Sequence, residues 1–141
     1  MAYIDTSVLA AYYCTEPLST AAQRAIREDE APTISPLVEV ELCSAVALKV
    51  RRKELDVVAA NRVLSLFQLH LDNGLYAMVP IQAREYTLAR EWVGRFTTPL
   101  RALDALHLAA AFTNNLSLLT CDKNLARCAR EFGIEHQLIS R

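Results

Sequence analysis

Apolar residues along this chain recur in two patterns. Short apolar runs are separated by longer stretches in which the apolar positions return at helical spacing. The runs predict strands near residues 2–5, 32–35, 76–79, 116–121 and 134–138. A short helix carrying Val8, Leu9 and Tyr12 follows the first strand. Pro17 opens another that reaches about Glu28, with Ala22, Ala25 and Ile26 on its inner face. Ser35-Pro36 starts a long helix, with Ser35 as N-cap, proline in the first turn and Glu39 near the positive end. It stops around the basic run Lys49, Arg51, Arg52 and Lys53. A helix over about 55–73 has Val58, Val63, Leu66, Phe67 and Leu69 as core candidates and Asn73-Gly74 as its stop signal. Further helices are predicted near 82–95, 101–114 and 123–132. This alternation of strand and helix predicts an α/β fold, a central parallel β-sheet of about five strands flanked by α-helices.

With 141 residues and no repeat, low-complexity tract or linker, the chain is expected to form a single domain over 1–141. A hydrophobic share of 52% and only three glycines point to a helix-rich globular protein rather than a disordered one. No apolar run approaches the roughly 18 to 20 residues needed to cross a bilayer. The N-terminus lacks the pattern of a secretory signal, so a cytoplasmic protein is expected. The net charge of −1 carries no global signature for nucleic acid, and a polyanion would have to be met by a local patch. Cys14, Cys43, Cys121 and Cys128 form no C-x-x-C pair and are expected to be reduced core residues.

Four acids change this picture. Asp5 follows Ala2-Tyr3-Ile4 and Asp122 follows Leu118-Leu119-Thr120-Cys121, which places both at carboxyl ends of buried parallel strands, where α/β sheets bind ligands. Each also suits an N-cap of the helix that follows it. Asp104 interrupts the most apolar helix, where an unpaired carboxylate costs several kcal/mol. It needs either a water-filled cleft or a salt bridge to a residue such as Arg101. His107, near the same face, reads as a hydrogen-bonded structural histidine ahead of a ligand or proton carrier. Glu41 and Glu39 point about 200° apart on their helix, so only one enters a shared site. Glu41 precedes the apolar stretch Leu42-Cys43-Ser44-Ala45-Val46 and is the better candidate. One pocket holding Asp5, Glu41, Asp104 and Asp122 explains all four. Carboxylates so gathered repel one another unless a cation sits among them, and Mg²⁺ or Mn²⁺ suits oxygen donors. Metal-dependent phosphodiester chemistry follows as the leading idea.

Tyr3-Ile4-Asp5-Thr6-Ser7, Glu41-Leu42, Leu103-Asp104-Ala105-Leu106-His107-Leu108-Ala109 and Leu119-Thr120-Cys121-Asp122 resemble the four acidic motifs of PIN-domain nucleases. The similarity is greatest to VapC-type toxins of toxin–antitoxin pairs. The resemblance spans essentially the whole chain, in order. It implies a PIN-like fold with the acids at one end of the sheet, and a Mg²⁺- or Mn²⁺-dependent endoribonuclease. It further implies a homodimer held inactive by a cognate antitoxin protein. It also implies a small hydroxyl residue close to the metal, for which Ser7 and Thr120 are the candidates and Thr6 a weaker one.

In that reading Asp5, Asp104 and Asp122 hold one or two metal ions, and Glu41 completes the cage or orients the attacking water. None of His70, His107 and His136 sits in a motif for metal-free acid/base cleavage. Arg95, Arg101, Lys123 and Arg127 flank the acidic motifs as candidate RNA contacts, though each also reads as a solvated helix-end charge. Two alternatives share the fold: a PIN nuclease of RNA processing or repair, and a non-catalytic partner-binding module. A receiver-like phosphoryl-transfer site would want paired acids on the first strand, which Asp5-Thr6-Ser7 does not supply.

Overall fold

The computed structural model describes residues 1–140. Its five strands are β1 (Ala2–Ile4), β2 (Thr33–Ile34), β3 (Ala77–Met78), β4 (Ser117–Thr120) and β5 (His136–Leu138). They form one parallel sheet in the order β3-β2-β1-β4-β5. Seven helices connect and cover them: α1 (Thr6–Tyr13), α2 (Ser19–Glu28), α3 (Pro36–Arg51), α4 (Val57–Asp72), α5 (Ala83–Val93), α6 (Ala102–Thr113) and α7 (Lys123–Glu131). The predicted α/β architecture and the number of strands are therefore observed, with each strand shorter than its apolar run.

The topology places the site. From β1 the chain steps outward through β2 to β3, then returns to lay β4 on the other side of β1. That reversal opens a crevice beyond the carboxyl ends of β1 and β4, because the connections leave these two strands in opposite directions. The two are in register from Ala2 opposite Ser117 to Ile4 opposite Leu119, and the Asp5 N–H continues the ladder to the Leu119 carbonyl at 3.0 Å.

Tyr3, Ile4, Leu118 and Leu119 are buried, as strands covered on both faces require. Helix α6 packs on α5, β1 and β4, and every residue from Ala105 to Ala111 is buried. Its run of alanines brings the helix close to the sheet. Leu108, with no exposed surface, contributes about 1.5–3 kcal/mol by burial.

Some local expectations are corrected. Pro17 and Leu18 form a turn and α2 begins at Ser19. On α4, Phe67 is buried but Val58, Leu66 and Leu69 are 61%, 44% and 52% exposed, so they are not core residues. Apolar residues surround most of that helix, and only α3 and α1 pack against it closely. Cys43 is exposed rather than in the core, while all four cysteines are free thiols. Ser35 occupies the N-cap of α3, yet its hydroxyl makes no capping bond. Among the described residues, no helix is long and apolar enough to cross a membrane.

Candidate active site

Three of the four acids sit at helix N-termini that meet at the crevice. Asp5 is the N-cap residue of α1, Asp122 that of α7, and Asp104 lies in the first turn of α6. Each N-terminus carries free N–H groups and about half a positive charge, which offsets part of the cost of gathering negative side chains. Glu41 comes from α3, beyond its first turn.

Asp5 does not cap its helix with its side chain. Its carboxylate turns inward, 6% exposed, and accepts hydrogen bonds from Ser7 Oγ at 2.6 Å and Thr120 Oγ1 at 2.8 Å. Both hydroxyls are also acceptors, Ser7 from the Cys121 N–H at 3.0 Å and Thr120 from the Asp122 N–H at 2.9 Å. The two sequence candidates for a supporting hydroxyl thus tie the end of β1 to the end of β4.

A common pattern emerges among these carboxylates. Ser7 and Thr120 both bond Oδ2 of Asp5, which leaves Oδ1 as the oxygen available to a ligand. Thr6 Oγ1, at 2.7 Å, and His107 Nε2 both bond Oε1 of Glu41. The Asn124 and Leu125 N–H groups both bond Oδ1 of Asp122, so for this acid the capping reading holds as well. One oxygen is fixed by two donors in each case while the other stays available.

Asp104 departs from the pattern. Its nearest cation is Arg101, 3.9 Å away and on an 85% exposed side chain, too distant and solvated to count as a structural salt bridge. Burial pushes its carboxyl up from the usual range, and the Asp5 and Asp122 charges push it further, against the opposing pull of Arg101 and His107. Burial alone would raise Glu41 as well. The hydrogen bond and charge of His107, followed by the Thr6 hydroxyl, bring it below its ordinary value instead.

Among the described residues, no three His, Cys, Asp or Glu side chains are drawn together as a finished metal cage. The donor chemistry nevertheless fits a hard cation. Asp104 senses the charges of both Asp5 and Asp122. The adjacent Cys121 thiol is pushed up to about 11 by burial and then by the Asp5 charge, so carboxylate oxygens are the ionised donors. Mg²⁺ takes only one or two protein carboxylates directly and keeps several waters, which suits an open arrangement.

The basic candidates divide. Arg101 and Lys123 lie beside the acids, and Lys123 borders a groove of about 550 Å³ that begins at Ser7 and runs past Ala10, Leu18 and Ile139. Arg127 is exposed on α7. Arg95 is engaged elsewhere, 2.7 Å from Glu91 and 5.9 Å from the Phe132 ring centre. Sequence reasoning missed Tyr3, whose hydroxyl bonds both His107 and Ser35. The available signal was a tyrosine inside a buried strand, because a buried phenol needs a partner.

Comparison with known proteins adds two findings. The PIN domain profile matches residues 2–131. Among solved structures, the chain is similar to VapC20 of Mycobacterium tuberculosis, described as a sarcin–ricin loop cleaving toxin. That match has a TM-score of 0.70 at 19% identity and covers 90% of this chain and 94% of that one. It is also similar to a toxin–antitoxin complex from Klebsiella pneumoniae, with a TM-score of 0.64 at 17% identity and coverage of 89% and 91%. A third match is VapBC2 of Rickettsia felis bound to a promoter DNA fragment, with a TM-score of 0.69 at 15% identity and coverage of 99% and 100%. Comparison with curated protein sequences gives no significant match.

Proposed function

The chain belongs to the PIN domain family, and from that membership we propose that it is a Mg²⁺- or Mn²⁺-dependent endoribonuclease, the toxin of a toxin–antitoxin pair. The observation that carries this reading is the gathering of Asp5, Asp104 and Asp122 at three helix N-termini around one crevice, with Asp104 half-buried and its nearest cation, Arg101, 3.9 Å away. Such a cluster calls for a cation. The neighbours described as a loop-cleaving toxin and a toxin–antitoxin complex support the biological setting. We further propose that the whole of 1–141 is one domain, that it works as a homodimer in the cytoplasm, and that a cognate antitoxin occupies the groove beginning at Ser7.

Asp5, through Oδ1, would hold the metal together with Asp104 and Asp122. The bound ion supplies Lewis acidity, lowering the pKa of water and neutralising phosphoryl oxygens. Ser7 and Thr120 keep the Asp5 carboxylate from rotating. Glu41, with one oxygen fixed, orients the attacking water through the other. Arg101 and Lys123 meet the phosphate backbone at the rim, where the acids would otherwise repel it. Attack by water on phosphorus leaves a 5′-phosphate and a 3′-hydroxyl.

The test is incubation of antitoxin-free protein with a mixed RNA pool, with and without Mn²⁺ or Mg²⁺, beside Asp104→Asn. Metal-dependent fragments bearing 5′-phosphates, absent with the variant, are the expected result. Cleavage that survives EDTA would overturn the mechanism. A folded, metal-loaded wild type that cuts nothing would favour a partner-binding module.

A further inference from the structure

A second line of hydrogen bonds runs from the acidic crevice back into the core. Glu41 Oε1 is bonded by His107 Nε2. His107 Nδ1 lies 2.7 Å from the Tyr3 hydroxyl, which lies 2.7 Å from Ser35 Oγ. Tyr3 and Ser35 are 0% exposed and His107 is 1% exposed. Polar groups buried so completely are costly unless each finds a partner, and here each finds the next. The line joins β1, the start of α3 and α6, and it ends on a carboxylate of the crevice.

Its polarity is constrained. A carboxylate only accepts, so Nε2 carries a hydrogen. When the ring is neutral, Nδ1 accepts from the Tyr3 hydroxyl and Ser35 donates to the Tyr3 oxygen; when the ring is protonated, Nδ1 donates to the Tyr3 oxygen and the Tyr3 hydroxyl donates to Ser35. Ser35 sits where a serine would normally cap its helix, but its hydroxyl serves Tyr3 instead. The Tyr3 and His107 rings also pack against each other, centres 5.6 Å apart, so the imidazole is held by shape as well as by bonding.

We infer that His107, backed by Tyr3 and Ser35, is a positioning residue for Glu41. It grips Oε1 from the core side while Thr6 grips the same oxygen from α1 at 2.7 Å, so that Oε2 faces the crevice. A glutamate on a helix surface samples several rotamers. Two donors on one oxygen, from separate elements, reduce these to one. For its effect on catalysis the inference rests on the nuclease reading above, whereas the geometry stands without it.

The experiment compares His107→Leu, His107→Gln and Tyr3→Phe with the wild type. The readouts are metal-dependent cleavage of the RNA pool and the ¹⁵N resonances of the His107 ring in metal-free protein. His107→Leu keeps the volume and loses the donor, and kcat is expected to fall by about 10- to 100-fold at little-changed KM. His107→Gln restores an N–H near Oε1 and recovers part of that loss. Tyr3→Phe keeps the core ring, moves the Nδ1 resonance towards that of an unbonded ring nitrogen, and lowers kcat less than His107→Leu. Equal losses in the Leu and Gln variants would reduce His107 to packing and overturn the inference. An Nδ1 resonance unmoved by Tyr3→Phe would overturn the relay behind it. A wild type that cleaves no RNA would overturn the nuclease reading, and with it the catalytic role, while the ring resonances still decide the relay.

Discussion

Replacing Thr120 by valine tests how the acids are held together. Thr120 Oγ1 donates to Asp5 Oδ2 at 2.8 Å and accepts from the Asp122 N–H at 2.9 Å, on a side chain with no exposed surface. Valine keeps the branched shape and the strand preference, so lost hydrogen bonding dominates. A bond to a charged carboxylate contributes about 1.5–3 kcal/mol and a neutral one about 0.5–1.5 kcal/mol. The added methyl group returns about 0.8 kcal/mol. Ser7 still bonds the same Asp5 oxygen at 2.6 Å, which keeps the loss towards the lower end. The net destabilisation comes to about 2 kcal/mol. With a urea slope of about 1–3 kcal/mol per molar, the unfolding midpoint of metal-free protein falls by about 1 M. Asp5 also loses one of its two anchors, so Mn²⁺ affinity measured by calorimetry falls by about 10- to 100-fold. An unchanged midpoint together with unchanged Mn²⁺ affinity would refute the idea that Thr120 links the two acids.

Two further predictions follow from packing and burial. Phe67→Ala is expected to cost about 3–5 kcal/mol, whereas Leu69→Gln, two positions on but 52% exposed, changes stability by less than about 0.5 kcal/mol; comparable losses in urea unfolding would contradict the assigned face of α4. His70 accepts from or donates to the Tyr13 hydroxyl at 2.6 Å, with Tyr12 beside it and Tyr76 bonded to Tyr13, and burial holds its imidazole below the ordinary 6.5. Its contribution is therefore fully present above pH 6.5 and is lost as the pH falls towards the folded value, because the unfolded chain takes up the proton first. Urea midpoints between about pH 7.5 and 5.5 should fall more steeply for the wild type than for His70→Gln, and parallel slopes would exclude this origin.

The sheet and the acids were legible for different reasons. Buried parallel strands must be apolar on both faces, so Ala2-Tyr3-Ile4 and Leu118-Leu119 stood out as short runs. Asp104 stood out because an ionised group on an apolar helix is anomalous. Glu41 prevailed over Glu39 because helical geometry admits only one of them and the apolar residues that follow Glu41 mark the inward side. The face of α4 was not legible, since a helix with leucines and valines on most sides carries no stripe to mark which side is covered. Nor could Asp5 be separated from a capping role, because capping and inward rotation differ only in side-chain direction. The line from Ser35 to Glu41 joins positions scattered over the chain, and no spacing rule connects them.

The central position of β1 also has a consequence for synthesis. The bond from Thr120 to Asp5 spans 115 residues, and the ladder beside it joins the second residue of the chain to the 117th. A ribosome releases the N-terminal end first. β1 must therefore wait for one of its two neighbours until β4 has cleared the exit tunnel. Only then do Asp5, Thr120 and Asp122 meet. A nascent chain carries Asp5 long before Thr120 and Asp122, and cannot close the crevice until β4 has emerged.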